Sequence, residues 1–126
     1  MRERLAALVL AALLLPAGAL AQADGEKLRA AKALFFDRQY AEAREAWQAI
    51  AATGRASDRQ AAAYWVARSS ESLGGGGRAL AEYGAYLAAR PADRALVEEA
   101  RTSRVALAVK LAKAGKKEHL AVASDA

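Results

Sequence analysis

Cysteine is absent from the 126 residues, and histidine occurs once, at His119. The first absence excludes disulfides, thiol catalysis, thiolate-bound zinc and, in an exported chain, a lipid carried on an N-terminal cysteine. The second leaves a His-based triad without an ordered base, because His119 falls in a segment expected to be a tail. Glu98-Glu99-Ala100-Arg101-Thr102 lacks both histidines of a zinc-binding His-Glu-x-x-His helix, so the adjacent glutamates read as helix-surface residues. The glycine run Gly74 to Gly77 ends in Arg78-Ala79 rather than Lys followed by Ser or Thr, and no strand pattern precedes it, which argues for a loose turn and against a phosphate loop. Glu71 and Glu82 could meet across a helical hairpin, but no pattern puts them in a cleft. The residue supply therefore predicts a protein that is not an enzyme, with no cofactor and no metal.

Long apolar runs are also scarce. The one at the N-terminus, Leu5 to Leu15, follows Met1-Arg2-Glu3-Arg4 and precedes Pro16 and Gly18. Eleven helical residues span about 17 Å, well short of the roughly 30 Å of a bilayer's hydrocarbon. A basic start, a short apolar centre, a helix breaker and Ala19-Leu20-Ala21 read as a secretory signal peptide over residues 1–21, with cleavage before Gln22 or, on the overlapping Ala21-Gln22-Ala23, before Asp24. The expected location is the periplasm or the exterior. An uncleaved anchor at the inner membrane is the alternative, at the cost of running a helix through Pro16.

Without Arg2, Arg4 and Glu3, 17 Lys and Arg face 13 Asp and Glu, a net charge of +4. The signs alternate along the chain, as in Glu42, Arg44, Glu45, which describes solvated helix faces and argues against a nucleic-acid surface. Lys110, Lys113, Lys116 and Lys117 form the only basic cluster, suited to the last turn of a helix or to weak contact with anionic lipid or an acidic partner.

Alanine supplies 37 residues, which favours helix but buries little area per side chain, so close helix packing is expected. The arrangement of the larger residues is periodic. Ala43, Trp47 and Ile50 recur 36 positions later as Ala79, Tyr83 and Tyr86, each trio on one helical face. A repeat of this length stacks units that cannot bury their apolar faces alone. Five helices follow: about Gly25 to Phe36, Tyr40 to Ala52, from a cap at Ser57 or Asp58 to Leu73, Arg78 to Ala89, and from a cap at Asp93 to about Gly115. Core candidates are Leu34, Phe35, Phe36, Trp47, Ile50, Tyr64, Trp65, Val66, Leu73, Leu80, Tyr83, Leu87, Leu96, Val97, Val105, Leu107 and Leu111. Residues 22–115 form one domain, and residues 116–126 a flexible tail.

Asp37-Arg38-Gln39-Tyr40-Ala41-Glu42-Ala43 followed by Trp47 resembles the second half of a tetratricopeptide repeat, and Leu73-Gly74, Ala79, Tyr83 and Pro91 resemble a second copy. Ala31 and Ala67 take the small position of the first helix in each unit. The units are two residues longer than the usual repeat, and Lys27 and Ala63 stand where an early aromatic is usual. The string from Ala62 to Arg68 is similar to the repeats of two exported envelope families, the Tol-Pal-associated cell-division coordinators and the outer-membrane assembly lipoproteins; the missing cysteine counts against the second. HEAT-repeat proteins open their helices similarly, although a long array is expected there.

The resemblance implies an all-α, short right-handed helical-hairpin solenoid of two tetratricopeptide-like repeats plus a C-terminal capping helix. It also implies a bacterial envelope adaptor or scaffold that binds a protein or peptide partner on a concave groove lined by the first helix of each pair. Position by position, Leu28, Lys32, Phe35 and Phe36 face inward in the first unit, and Tyr64, Arg68, Glu71 and Ser72 in the second. Lys32, Phe36, Tyr64, Arg68 and Glu71 are the expected partner-binding residues, although Phe35 and Tyr64 at helical spacing are more often core than ligand platform. Glu42 and Arg44 are expected to point outward. The last helix either closes the groove through Arg101 or Arg104 or, preferably, caps the stack. Two repeats are few for independent stability, so self-association of a structural repeat protein is the alternative reading, with the inner-membrane module as a third.

Overall fold

The computed structural model describes residues 17–115, with side chains from Gln22 onward. The apolar run Leu5 to Leu15 of the expected signal peptide, Lys116, Lys117, His119 and the expected tail lie outside the described residues. The chain forms five helices: α1 (Ala17–Phe36), α2 (Tyr40–Thr53), α3 (Ala56–Ser72), α4 (Gly76–Ala88) and α5 (Arg94–Lys113). Among the described residues there is no strand. Each helix packs on its neighbours in the chain, and α3 also touches α5. The result is an all-α stack of helical hairpins, as the sequence pattern predicts.

The two hairpin turns are built alike. Arg38 and Gly74, 36 positions apart, both take left-handed backbone, with φ of 63° and 83°. At the first turn the Arg38 N–H donates to Phe35 O (3.0 Å) and the Gln39 N–H to Leu34 O (2.9 Å). At the second, Gly74 donates to Glu71 O (3.0 Å) and Gly75 to Ser70 O (2.9 Å). This paired closure satisfies the last carbonyls of a helix and calls for glycine at the left-handed position. The second unit supplies glycine there, and the first supplies arginine.

The 36-residue register extends to packing. Ala31, Ala43, Ala67 and Ala79 are fully buried, as are Trp47 and Tyr83, and Ile50 and Tyr86 are nearly so. Small residues at the crossings let the helix axes approach, and the aromatics supply the area that alanine lacks. The core has two parts. One joins Ala31, Phe35, Ala43, Trp47, Ile50, Ala62 and Val66; the other joins Tyr64, Ala67, Ala79, Leu80, Tyr83 and Tyr86 to Ala100, Leu107 and Ala108 of α5. Trp65 packs against both parts. It lies flat on Trp47, with ring centroids 5.6 Å apart and planes 15° apart, and meets Phe35 edge-on at 5.1 Å.

Several boundaries differ from expectation. α1 begins at Ala17 rather than Gly25 and runs unbroken past the expected cleavage positions, through an alanine-rich stretch that holds Gly18 and Gly25 but no proline. α3 starts at Ala56 on Arg55, whose side chain makes no capping bond; Ser57 and Asp58 lie inside its first turn. α4 takes in Gly76 and Gly77. A Cβ on Gly76 would stand 3.2 Å from Leu111 Cδ2, so the absent side chain lets α5 close against the start of α4. At α5 the expected cap is present: the Asp93 carboxylate accepts the Leu96 N–H at 3.2 Å. Phe36 and Leu73 are not core, being 69% and 50% exposed, because each lies where its helix ends.

Candidate protein-interaction face

The expected partner-binding residues lie on α1 and α3, and they play unequal parts. Lys32 is exposed, and Phe36, four residues on along the same face, presents its ring to solvent. Phe36 meets Phe35 at 5.5 Å and Trp65 at 6.2 Å, both edge-on, so the exposed ring continues an aromatic layer that reaches the core. The Arg68 guanidinium sits over the other part of that layer, 5.8 Å from the Phe35 centroid.

Tyr64 is a correction. It is fully buried, because α4 and α5 close over it through Tyr83, Tyr86, Ala100 and Leu107, and its ring is no platform for a partner. Its hydroxyl donates to Glu99 Oε2 at 2.7 Å and accepts from Arg68 Nη1 at 3.2 Å. Arg68 Nη1 lies 3.7 Å from the same Glu99 oxygen. Burial first, then the Glu99 hydrogen bond, pushes the Tyr64 phenol up to about 12. The hydroxyl is thus protonated, and a donor, throughout the neutral range. Glu71 is likewise occupied, accepting the Tyr83 hydroxyl at 2.7 Å; burial and that carboxylate push the Tyr83 phenol upward too. Arg68, Glu98, Glu99, Thr102 and Ser103 line a cleft of about 400 Å³ between α3 and α5.

Arg44 is a second correction. Far from being a solvated outward charge, it joins three helices: Nε donates to Ser70 Oγ of α3 and Nη2 to Glu82 Oε2 of α4, both at 2.8 Å. Ser70 Oγ completes the ring by donating to Glu82 Oε1. With 17% and 22% of their side chains exposed, Arg44 and Glu82 form a mostly desolvated pair, and Ser70 bonds to both. Glu71 and Glu82 therefore have separate partners and form no carboxylate pair. Beyond this junction, α2, α3 and α4 part to leave a groove of about 710 Å³ walled largely by alanines, among them Ala51, Ala52, Ala63, Ala85 and Ala89.

The sequence reading passed over Ser70 and gave Glu82 and Glu99 other surroundings than these, although a signal exists for the first. Ser70 and Glu71 stand 36 positions after Leu34 and Phe35, so an apolar pair in one unit becomes a polar pair in the next. Polar groups placed in an apolar register must find partners, and these find Arg44, Glu82 and Tyr83. Arg101 is exposed and pairs with Glu98 on its own helix at 3.0 Å, so it does not close the face. Among the described residues no three His, Cys, Asp or Glu side chains gather to hold a metal, and no helix is long and apolar enough to cross a membrane.

Comparison with protein-family models, with curated proteins and with solved structures finds no match for this chain.

Proposed function

We propose that the chain is an exported, non-catalytic interaction module of the tetratricopeptide-repeat type, which holds a segment of a protein partner on the face built by α1, α3 and α5. The observation that carries this reading is Phe36, an aromatic ring 69% exposed beside Lys32 and joined through Phe35 to Arg68. An exposed large aromatic next to cations, on a layer otherwise anchored in the core, is the composition of an interaction hot spot. Export rests on the basic start, apolar centre and Ala-x-Ala end of residues 1–23. The solvent side of α5 supports a chain that ends its own stack rather than recruiting another copy, since Val109 is the one large apolar side chain exposed there beside Glu98, Arg101, Thr102, Lys110 and Lys113.

Crosslinking in the native envelope, with mass spectrometry of the captured proteins, tests the reading. A partner should be captured by the native chain and largely lost with Lys32→Ala combined with Phe36→Ser, with the melting temperature unchanged. Glu42→Ala, on an exposed position of α2, should leave capture intact. Equal losses from Glu42→Ala and the inward pair would refute this face as the binding surface.

A further inference from the structure

Glu99 sits on the inward face as a carboxylate supplied by the chain itself. Its Oε2 takes the Tyr64 hydroxyl at 2.7 Å and lies 3.7 Å from Arg68 Nη1, a separation too long for a well-formed ion-pair hydrogen bond. The Glu99 side chain is 61% exposed, so nothing locks it in place from the solvent side. Arg68 is held more firmly, by the Phe35 ring at 5.8 Å and the Tyr64 oxygen at 3.2 Å. A fixed guanidinium and a fixed phenol thus point at a loosely held carboxylate beside an open cleft of about 400 Å³. Near the other end of the same face, Phe36 is uncovered, and Lys32 makes no ion pair among the described residues.

Two spacings relate these features. Phe36 is 5.5 Å from Phe35, and Phe35 is 5.8 Å from the Arg68 guanidinium carbon, which puts the exposed ring within roughly 11 Å of the cation, about three residues of extended chain. We propose, resting on the partner-binding reading above, that the occupant of this face is an acidic peptide segment carrying a large apolar side chain within about three residues of a carboxylate, and that Glu99 is its built-in competitor. The partner carboxylate displaces Glu99 from Arg68 and the Tyr64 hydroxyl, the apolar side chain covers Phe36 against Trp65, and Lys32 draws further negative charge. Held by the Tyr64 hydroxyl, Glu99 keeps its negative charge near Arg68 when the face is empty, and it must be expelled for the segment to seat.

The test is selection from a random-peptide display library on the purified mature chain, followed by calorimetry of the enriched peptides, as synthetic ligands, against variants. Peptides pairing Asp or Glu with an apolar residue at the stated spacing should be enriched. Glu99→Ala should tighten their binding severalfold, and Glu99→Gln should do so to a smaller extent while keeping an acceptor for Tyr64. Phe36→Ser should weaken binding by roughly tenfold, and Glu45→Ala, on an exposed position of α2, should do nothing. Melting curves of each variant confirm that α5 remains docked; if Glu99→Ala unfolds, the Glu99→Gln result decides. Weaker binding to a folded Glu99 variant, or enrichment of basic or uncharged peptides whose binding still depends on Phe36, overturns the proposal and leaves the partner-binding reading standing. No enriched peptide, or peptides indifferent to Phe36→Ser and Arg68→Gln, overturns both.

Discussion

Replacing Arg38 with glycine should stabilise the chain, although it removes a side chain and adds nothing. Arg38 is held at φ 63° in the turn between α1 and α2, where a side-chain-bearing residue costs about 1–2 kcal/mol in left-handed backbone. Glycine avoids that cost but gains freedom in the unfolded chain, which returns about 0.5–1 kcal/mol. The net is a stabilisation of about 0.5–1 kcal/mol, or roughly 2–8 °C in melting temperature for a domain of this size. No packing or ion pair among the described residues complicates the sum, since Arg38 is exposed and unpaired there. The reciprocal change is Gly74→Ala at φ 83°, where a Cβ would meet nothing within 4 Å, so its cost is purely conformational and should be a destabilisation of similar size. Urea melts with an unchanged slope would give both values. A neutral or destabilising Arg38→Gly alongside a costly Gly74→Ala would refute the equivalence of the two turns.

Ala79→Leu should overpack the α3–α4 crossing and destabilise by about 1–3 kcal/mol, whereas Ala92→Leu, at an exposed position, should change little in the same denaturant melts. Arg44 and Glu82 should show a coupling of about 0.5–3 kcal/mol in a double-mutant cycle to alanine, and Ser70→Ala should destabilise by about 1–3 kcal/mol by depriving both of a buried partner. Stability should fall as pH rises between about 10 and 12: the unfolded chain releases the Tyr64 proton near its ordinary value, while the folded chain holds it to about 12. That contribution is complete below pH 10 and absent from Tyr64→Phe, so the two proteins should differ in the slope of stability against pH only in that window.

The parts of the fold that were legible in the sequence are those fixed by short-range repetition. Spacing alone paired Ala43 with Ala79 and Trp47 with Tyr83, because each pair faces the same crossing in its own hairpin. Asp93 was legible because a capping carboxylate acts within three residues. What escaped depended on a third element. Tyr64 matches Leu28 in register, but only the second unit has α5 laid over it, so its burial is a property of a helix more than 30 residues away. Phe36 and Leu73 stand where their helices end and neighbours cover only part of the side chain, yet periodicity still reads them as core. Gly76 has the propensity of a turn residue, yet it opens α4, where its missing side chain makes room for Leu111. The partners that occupy Tyr64 and Glu71 were not legible, since Glu99 and Tyr83 come from other helices.

Trp47 and Trp65 are the only tryptophans in the chain, and they are stacked on each other where the first hairpin meets the second. Intrinsic fluorescence will therefore report almost nothing but the state of that seam. Because the Trp65 ring belongs to the packing of both hairpins, neither can open without disturbing its neighbour, and in a linear stack such shared residues set the nearest-neighbour coupling that makes separate units melt together. The tryptophan signal and the helical circular dichroism should lose amplitude in a single coincident transition. The chain thus carries its own optical gauge of cooperativity, placed at the joint that creates it.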